Sequence, residues 1–395
     1  MNKYIALFLA FFQSLYQVAC AEYLYPVGSI DDEHVLLMHQ TSCDDVELWM
    51  WNINESVAFK ELNSFFLPSA IQILPSKKAY SFIDRGRIKI KHFDKRAPRV
   101  IAFYEPIYAV SFISWIDDNQ FYFVGKYLNN FKLFLCDISN RNCYVFALTD
   151  LQDSVDYLYP QKINNEIFCI TKTQDVQYAI CKAAWPEKSS VSFNAIDFDQ
   201  EKKMGNNFAE FERILLFSAS GQAPCFLFMK SSNLGFLLKI TQAENSLSDF
   251  FDFVCCRIFQ SSQGTWSAAE LFNFQLPKKL LVGSSSERLY ESIYPFLPLY
   301  SSEAIYFTTF NHESQTCQIA RFDNVSGLIE QTNPYGPKSL SLDCHLFAPY
   351  IVNNAMYCGI STSSKAIPTR ALILNNQTSS IFQCQLPRLN FKNKP

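Results

Sequence analysis

The sequence predicts an all-β fold assembled from repeated four-stranded antiparallel units, and three observations predict it. A turn-then-strand pattern recurs at steps of 42 to 51 residues where it is clear. Strand-like runs rich in β-branched and aromatic residues are interleaved with Asn, Asp and Ser turns, and Arg87, Ile88, Lys89, Ile90, Lys91 alternates with strict period two. No long run sustains the 3.6-residue apolar period of a helix.

The repeat sets out the units in order. Ile30, Asp31, Asp32, Glu33, His34, Val35, Leu36, Leu37 shares its grammar with Ile116, Asp117, Asp118, Asn119, Gln120, Phe121, Tyr122, Phe123, a polar turn feeding a strand. Ser76 to Tyr80, Asn164 to Phe168, Ser301 to Tyr306 and Asn353 to Tyr357 repeat it. With Leu36, Tyr80, Tyr122, Phe168, Tyr306 and Tyr357 as equivalent anchors, the steps are 44, 42, 46, 138 and 51. The long step hides further units. Taking Leu216 and Cys256 as anchors there gives eight; reading Cys225 to Lys230 and Gly235 to Ile240 as a hairpin of one unit, with Phe251 to Phe274 inserted in it, gives seven.

Units of this length hold about four short strands, and a lone unit leaves both sheet faces apolar, so neighbours must stack and the ring must close. The expectation is a β-propeller of seven four-stranded antiparallel blades, with six or eight as the alternative counts. Several strands end in an apolar residue followed by Asp or Asn: Trp51 and Asn52, Phe93 and Asp94, Cys136 and Asp137, Phe322 and Asp323, Leu374 and Asn375. A short acid or amide there bonds the backbone of the following turn. These features resemble degenerate WD40-like or TolB-like propeller repeats, in which a Pro-Asp-Gly turn precedes the second strand and an aromatic-Asp pair closes the third. Leu74, Pro75, Ser76 and Trp115, Ile116, Asp117 are the nearest approaches to that turn. TolB carries an α/β domain ahead of its propeller, whereas these repeats begin close to residue 22, so its partner binding does not transfer.

The first 21 residues read as an export signal: Lys3, an apolar stretch from Tyr4 to Phe12, then small residues at Ala19 and Ala21, with cleavage after Ala21. The stretch is too short to span a bilayer, and no later segment reaches transmembrane length. A lipid anchor at Cys20 is the weaker reading, because Gln17 occupies the place where a lipobox has Leu. The predicted organisation is a signal over 1–21, one propeller domain over 22–390 and a short tail over 391–395. Its location is periplasmic or secreted.

Charge and composition narrow the partners. Lys and Arg total 34 against 37 Asp and Glu in 395 residues, so there is no basic field to attract a phosphate backbone. Thirteen cysteines less Cys20 leave an even number for an oxidising compartment. Cys136 and Cys143 flank a polar loop, where a turn centred on Ser139 and Asn140 sets them opposite each other. Cys169 and Cys181 oppose each other across a hairpin centred on Asp175. Each pair reads either as a structural disulfide or as small buried apolar residues.

No metal, cofactor or catalytic set emerges from the motifs. The five histidines at 34, 39, 92, 312 and 345 are scattered, and His34 and His39, five apart on one strand, face opposite sides. Gly283 to Ser286 lacks the Gly-Lys-Ser/Thr ending of a phosphate loop. Asp31, Asp32, Asp117 and Asp118 sit on equivalent turns and would share one face of a propeller, as solvated turn residues or as an acidic site. The expected role is a protein-binding or scaffold module; a propeller enzyme with acids at its central channel is the second reading.

Overall fold

The structure is a computed structural model. It describes residues 22–40, 46–54, 57–64, 71–84, 86–95, 97–103, 106–139, 143–175, 178–186, 191–196, 225–241, 249–277, 298–301, 304–313, 315–331, 344–352, 355–362, 372–375, 383–385 and 390–392. The predicted signal with Cys20, the alternative anchor Leu216 and the loop 283–286 lie outside the described residues. Regular structure among those described is entirely strand, and no helix is long and apolar enough to cross a membrane.

The strands form a β-propeller of six sheets. In blade 2, β5 (Gln72–Ile73), β6 (Ala79–Asp84), β7 (Arg87–His92) and β8 (Arg99–Val100) lie side by side in chain order. Blade 3 repeats this with β9 (Ile107–Trp115), β10 (Gln120–Tyr127), β11 (Asn130–Asp137) and β12 (Tyr144–Ala147). Blade 4 has β13 (Asp156–Ile163), β14 (Glu166–Lys172), β15 (Tyr178–Ala184) and β16 (Asn194–Ala195). Blade 5 has β17 (Cys225–Ser231), β18 (Leu234–Thr241), β19 (Phe250–Gln260) and β20 (Trp266–Pro277). Blade 6 has β21 (Leu299–Tyr300), β22 (Ala304–Asn311), β23 (Thr316–Asp323) and β24 (Ile329–Gln331).

Blade 1 is composite, and it corrects the expected count from seven to six. Its first four strands are β1 (Glu22–Ser29), β2 (His34–Gln40), β3 (Val46–Asn52) and β4 (Val57–Ser64). The last four-strand group is β25 (Cys344–Val352), β26 (Ala355–Thr362), β27 (Leu372–Asn375) and β28 (Gln383–Gln385). It makes no sheet of its own, because β26 pairs antiparallel with β1 through Thr362, Ser361 and Ile360 opposite Glu22, Tyr23 and Leu24. A final strand, β29 (Asn390–Lys392), runs parallel to β4 along Val57, Ala58 and Phe59, giving nine strands in one sheet.

Every predicted anchor falls on the second strand of a four-strand group: Leu36, Tyr80, Tyr122, Phe168, Tyr306 and Tyr357 lie on β2, β6, β10, β14, β22 and β26. The long step between Phe168 and Tyr306 holds a single blade. Its β17 and β18 are the expected hairpin, but the segment read as an insertion is the blade's own third and fourth strands, β19 and β20. At 11 and 12 residues these strands are too long to follow the pattern of the other blades.

The first strands of several four-strand groups carry register irregularities against their second strands. Pairing shifts between Pro26 and Gly28 in β1, Leu158 and Gln161 in β13, Met229 and Ser231 in β17, and Phe347 and Tyr350 in β25. A bulge of this kind sharpens the local twist and takes an N–H out of the ladder. Tyrosine hydroxyls of neighbouring strands accept two backbone donors close to these shifts, Tyr350 from Ser29 N–H and Tyr122 from Lys162 N–H, each at 3.0 Å. Gln161 does the same work between blades 4 and 5: its Oε1 accepts Met229 N–H at 2.5 Å and its Nε2 donates to the Leu227 carbonyl. One side-chain amide thereby adds a rung between two sheets.

Apolar residues fill the clefts between blades. Leu74, Ile83, Ile88 and Ile101 of blade 2 pack with Ile113, Phe121, Phe123 and Phe134 of blade 3. Between blades 5 and 6, Phe307 stacks on Phe272 with ring centroids 4.2 Å apart and meets Phe274 at 5.0 Å. Tyr300 stacks between Phe228 and Phe236 at 4.4 and 4.6 Å.

Two lysines are buried, one of them against the alternation of its strand. The alternation in β7 puts Lys91 on a wet face, yet it is 2% exposed. Its Nζ faces Glu61 Oε2 of β4 at 3.5 Å and donates to the His92 carbonyl at 3.0 Å. Lys132 of β11, 1% exposed, pairs with the Asp153 carboxylate and donates to the carbonyls of Asp153 and Val155 at 2.8 and 3.1 Å. Tyr157 completes the group, donating its hydroxyl proton to Asp153 Oδ2 at 2.8 Å while its ring lies 5.5 Å below the ammonium. A buried lysine needs a counter-charge, and in both cases the adjoining blade or its entry loop supplies one.

Candidate functional site

The turns joining first to second strands and those joining third to fourth strands open on the same end of each antiparallel sheet. All four singled-out acids lie on the first kind of turn. Asp31 Oδ1 accepts N–H bonds from Glu33 at 2.8 Å and His34 at 2.7 Å, and meets His34 Nδ1 at 2.9 Å. Asp117 Oδ1 repeats the arrangement with Asn119 N–H at 2.7 Å and Gln120 N–H at 2.9 Å. Asp118 Oδ1 reaches sideways to Ser76 N–H at 2.9 Å, tying the corresponding turns of blades 3 and 2 together. Asp32 is exposed on its turn.

The carboxylates of Asp31, Asp117 and Asp118 thus accept from backbone donors at the tips of tight turns. The same cap recurs on the third-to-fourth-strand turns, where Asp323 Oδ1 takes Val325 N–H at 2.9 Å and Ser326 N–H at 2.8 Å, and Asp137 Oδ1 takes Ser139 N–H at 2.9 Å. These are the partners of the apolar-Asp endings seen in the sequence. Desolvation raises the Asp31 pKa, but the bonds from Glu33 and His34 outweigh it and hold the carboxyl below its ordinary value.

A depressed folded pKa stabilises above the unfolded value and is lost as pH falls through the folded one. The gap in urea midpoint between the wild type and Asp31→Asn is therefore expected to be constant near neutrality and to close below about pH 3.9. A gap independent of pH down to acid unfolding would remove Asp31 as its source.

The two cysteine pairs differ in placement. On β14 and β15, Cys169 and Cys181 are direct partners, both buried with Tyr157. Burial pushes both thiols up. On β11, Cys136 lies opposite Val145 rather than Cys143, because Asp137 pairs with Tyr144. Val145 and Cys143 are two residues apart and share a face, so the sulfurs meet diagonally at 2.7 Å. Cys136 is fully buried and Cys143 half-buried.

A titratable cluster not singled out in the sequence occupies blade 1. Glu47 Oε2 accepts Trp49 Nε1–H at 3.0 Å and faces His39 Nδ1 at 3.4 Å, while Oε1 accepts from Lys60 at 2.5 Å. His39 and Glu47 are cross-strand partners and Lys60 lies opposite Trp49. The residues come from three strands, so no local motif announces them. Among the described residues, no group of three or more His, Cys, Asp or Glu side chains could hold a metal ion.

The order of strands and the ring of sheets decide the comparison with solved structures. The neighbours are TolB-like and other β-propeller domains. A puromycin-hydrolysing peptidase of Mycobacterium tuberculosis is similar with a TM-score of 0.54 and 8% identity, over 95% of this chain and 54% of that chain. The β-propeller domain of the Trilobed protease from Pyrococcus furiosus gives 0.48 and 9%, over 95% and 100%. TolB from Acinetobacter baumannii gives 0.42 and 10%, over 78% and 62%. This propeller spans about half of the peptidase and about three fifths of that TolB, and at these identities the likeness is one of fold. No protein-family model matches the sequence, and no curated protein matches it.

Proposed function

We propose that this chain is an exported β-propeller that serves as a protein-binding or scaffold module of the cell envelope or exterior, with residues 1–21 as a cleaved signal and 22–390 as one folded domain. The observation that carries the reading is a set of exposed apolar side chains held on rigid turns and outer strands. In blade 6, Val325 is 93% exposed and Leu328 64% exposed on the turn that Asp323 caps. In blade 3, Tyr144 and Phe146 project from β12 at 50% and 41% exposure. Apolar groups presented on a capped, preorganised turn lose little freedom on docking and suit a protein surface.

Affinity capture from the native envelope fraction tests this, comparing residues 22–395 with the Val325→Asp, Leu328→Asp double variant. A protein retained by the wild type and reduced about tenfold by the variant, at unchanged thermal stability, is expected; tenfold corresponds to a modest interface contribution. Equal retention by both, or no retention together with turnover of a glycan or peptide, would sink the proposal.

A further inference from the structure

We propose that Cys136 and Cys143 form a thiol–disulfide exchange site on the outer edge of blade 3, with Cys143 as attacking sulfur, Cys136 as resolving sulfur and a disulfide as the substrate class. Four observations place it there. The sulfurs are 2.7 Å apart on one face of the β11–β12 pair, against about 2.05 Å in a disulfide, so little movement separates the dithiol from the bonded state. Access is unequal: Cys143 is half-buried, whereas Cys136 is fully buried. Among the described residues β12 is the outermost strand of its sheet and only four residues long. Arg99, from the outer strand of the adjoining blade, acts electrostatically on both sulfurs.

The charge distribution agrees with the assigned roles. The interaction with Cys136, aided by Arg99 and opposed by desolvation and by the Asp137 carboxylate, holds the Cys143 thiol below its ordinary value. The same interaction, with desolvation, pushes Cys136 up. An exchange pair needs an accessible attacking sulfur backed by a less accessible resolving one, and the unequal burial of Cys143 and Cys136 supplies that order. Cys169 and Cys181 make the contrast, since both are buried and both are pushed up.

The chemistry balances with the substrate disulfide as oxidant. The Cys143 thiolate attacks one sulfur of R–S–S–R, forming a Cys143–S–S–R bond and expelling RS⁻. Cys136 then loses its proton, attacks the Cys143 sulfur, closes the Cys136–Cys143 bond and expels the second RS⁻. Two electrons pass from the pair to the substrate, and the protons of the two thiols go to solvent or to the departing thiolates.

Oxidised glutathione is the probe. Incubated with the reduced chain, residues 22–395, it is expected to convert the Cys136–Cys143 segment to a form lacking two hydrogens, with release of two reduced glutathione molecules per chain. The Cys136→Ser variant is expected to stop at a glutathione mixed disulfide on Cys143. Alkylation of the native wild type needs no variant, and there Cys143 is expected to react at least about tenfold faster than Cys169. The proposal is overturned if glutathione adds to Cys136 in Cys143→Ser but not to Cys143 in Cys136→Ser. It is equally overturned if neither residue reacts until urea unfolds the chain.

Discussion

Replacing Phe307 with alanine is expected to destabilise the propeller by about 3–5 kcal/mol, the range for deleting a large buried aromatic. Phe307 is 2% exposed and stacks on Phe272 and Phe274 of the preceding blade, so its loss opens a cavity between two sheets rather than within one. Both rings it touches also contact each other, which leaves them little freedom to collapse into the space. Phe307→Leu, which fills much of the same volume, should recover more than half of the loss. Urea unfolding of the three proteins checks the order. A Phe307→Ala midpoint within error of the wild type would show that the blade 5–6 cleft closes without this stack.

Asp153→Ala is expected to cost as much, about 3–5 kcal/mol, for a different reason. It leaves the ammonium of Lys132, 1% exposed, with carbonyl acceptors but no counter-charge. Tyr157 loses its acceptor in the same step. Removing the cation as well should be milder: Lys132→Met with Asp153→Ala is expected to be more stable than Asp153→Ala alone, because the buried charge is gone and the methionine chain fills its channel. Equal stability of the single and double variants would mean that the carboxylate's worth lies in its bonds to Tyr157 and Val155 N–H.

What could be read from the sequence follows the distance over which each feature is determined. Anchor strands are legible where a polar turn residue caps them locally, as Asp31 and Asp117 do for His34 and Gln120. Cys169 opposite Cys181 follows from the symmetry of one hairpin. Cys143 stands two residues from the partner of Cys136 because Asp137 pairs with Tyr144. Lys91 looked solvent-facing because its partner Glu61 stands 30 residues earlier, in another blade. The blade count depends on β26 meeting β1, a pairing that no local pattern encodes. Of the candidate site, the sequence placed the acids on equivalent turns, but their commitment to backbone donors needs coordinates.

The shared sheet of blade 1 has a consequence for how the ring comes to be closed. Ser29 and Tyr350 are 321 residues apart, yet they are joined by a hydrogen bond beside the β1 and β25 bulges. Blade 1 is the first that a growing chain delivers and the last that it can complete. While blades 2 to 6 assemble from near neighbours, the edge of β1 waits unpaired, and the loop to be closed is nearly the length of the chain. Contacts so distant form slowly, and an open strand edge is a template for pairing with other chains. The interval before β26 arrives is therefore when this protein is most exposed to misassembly, and a chaperone that shields a strand edge would act on this blade before any other.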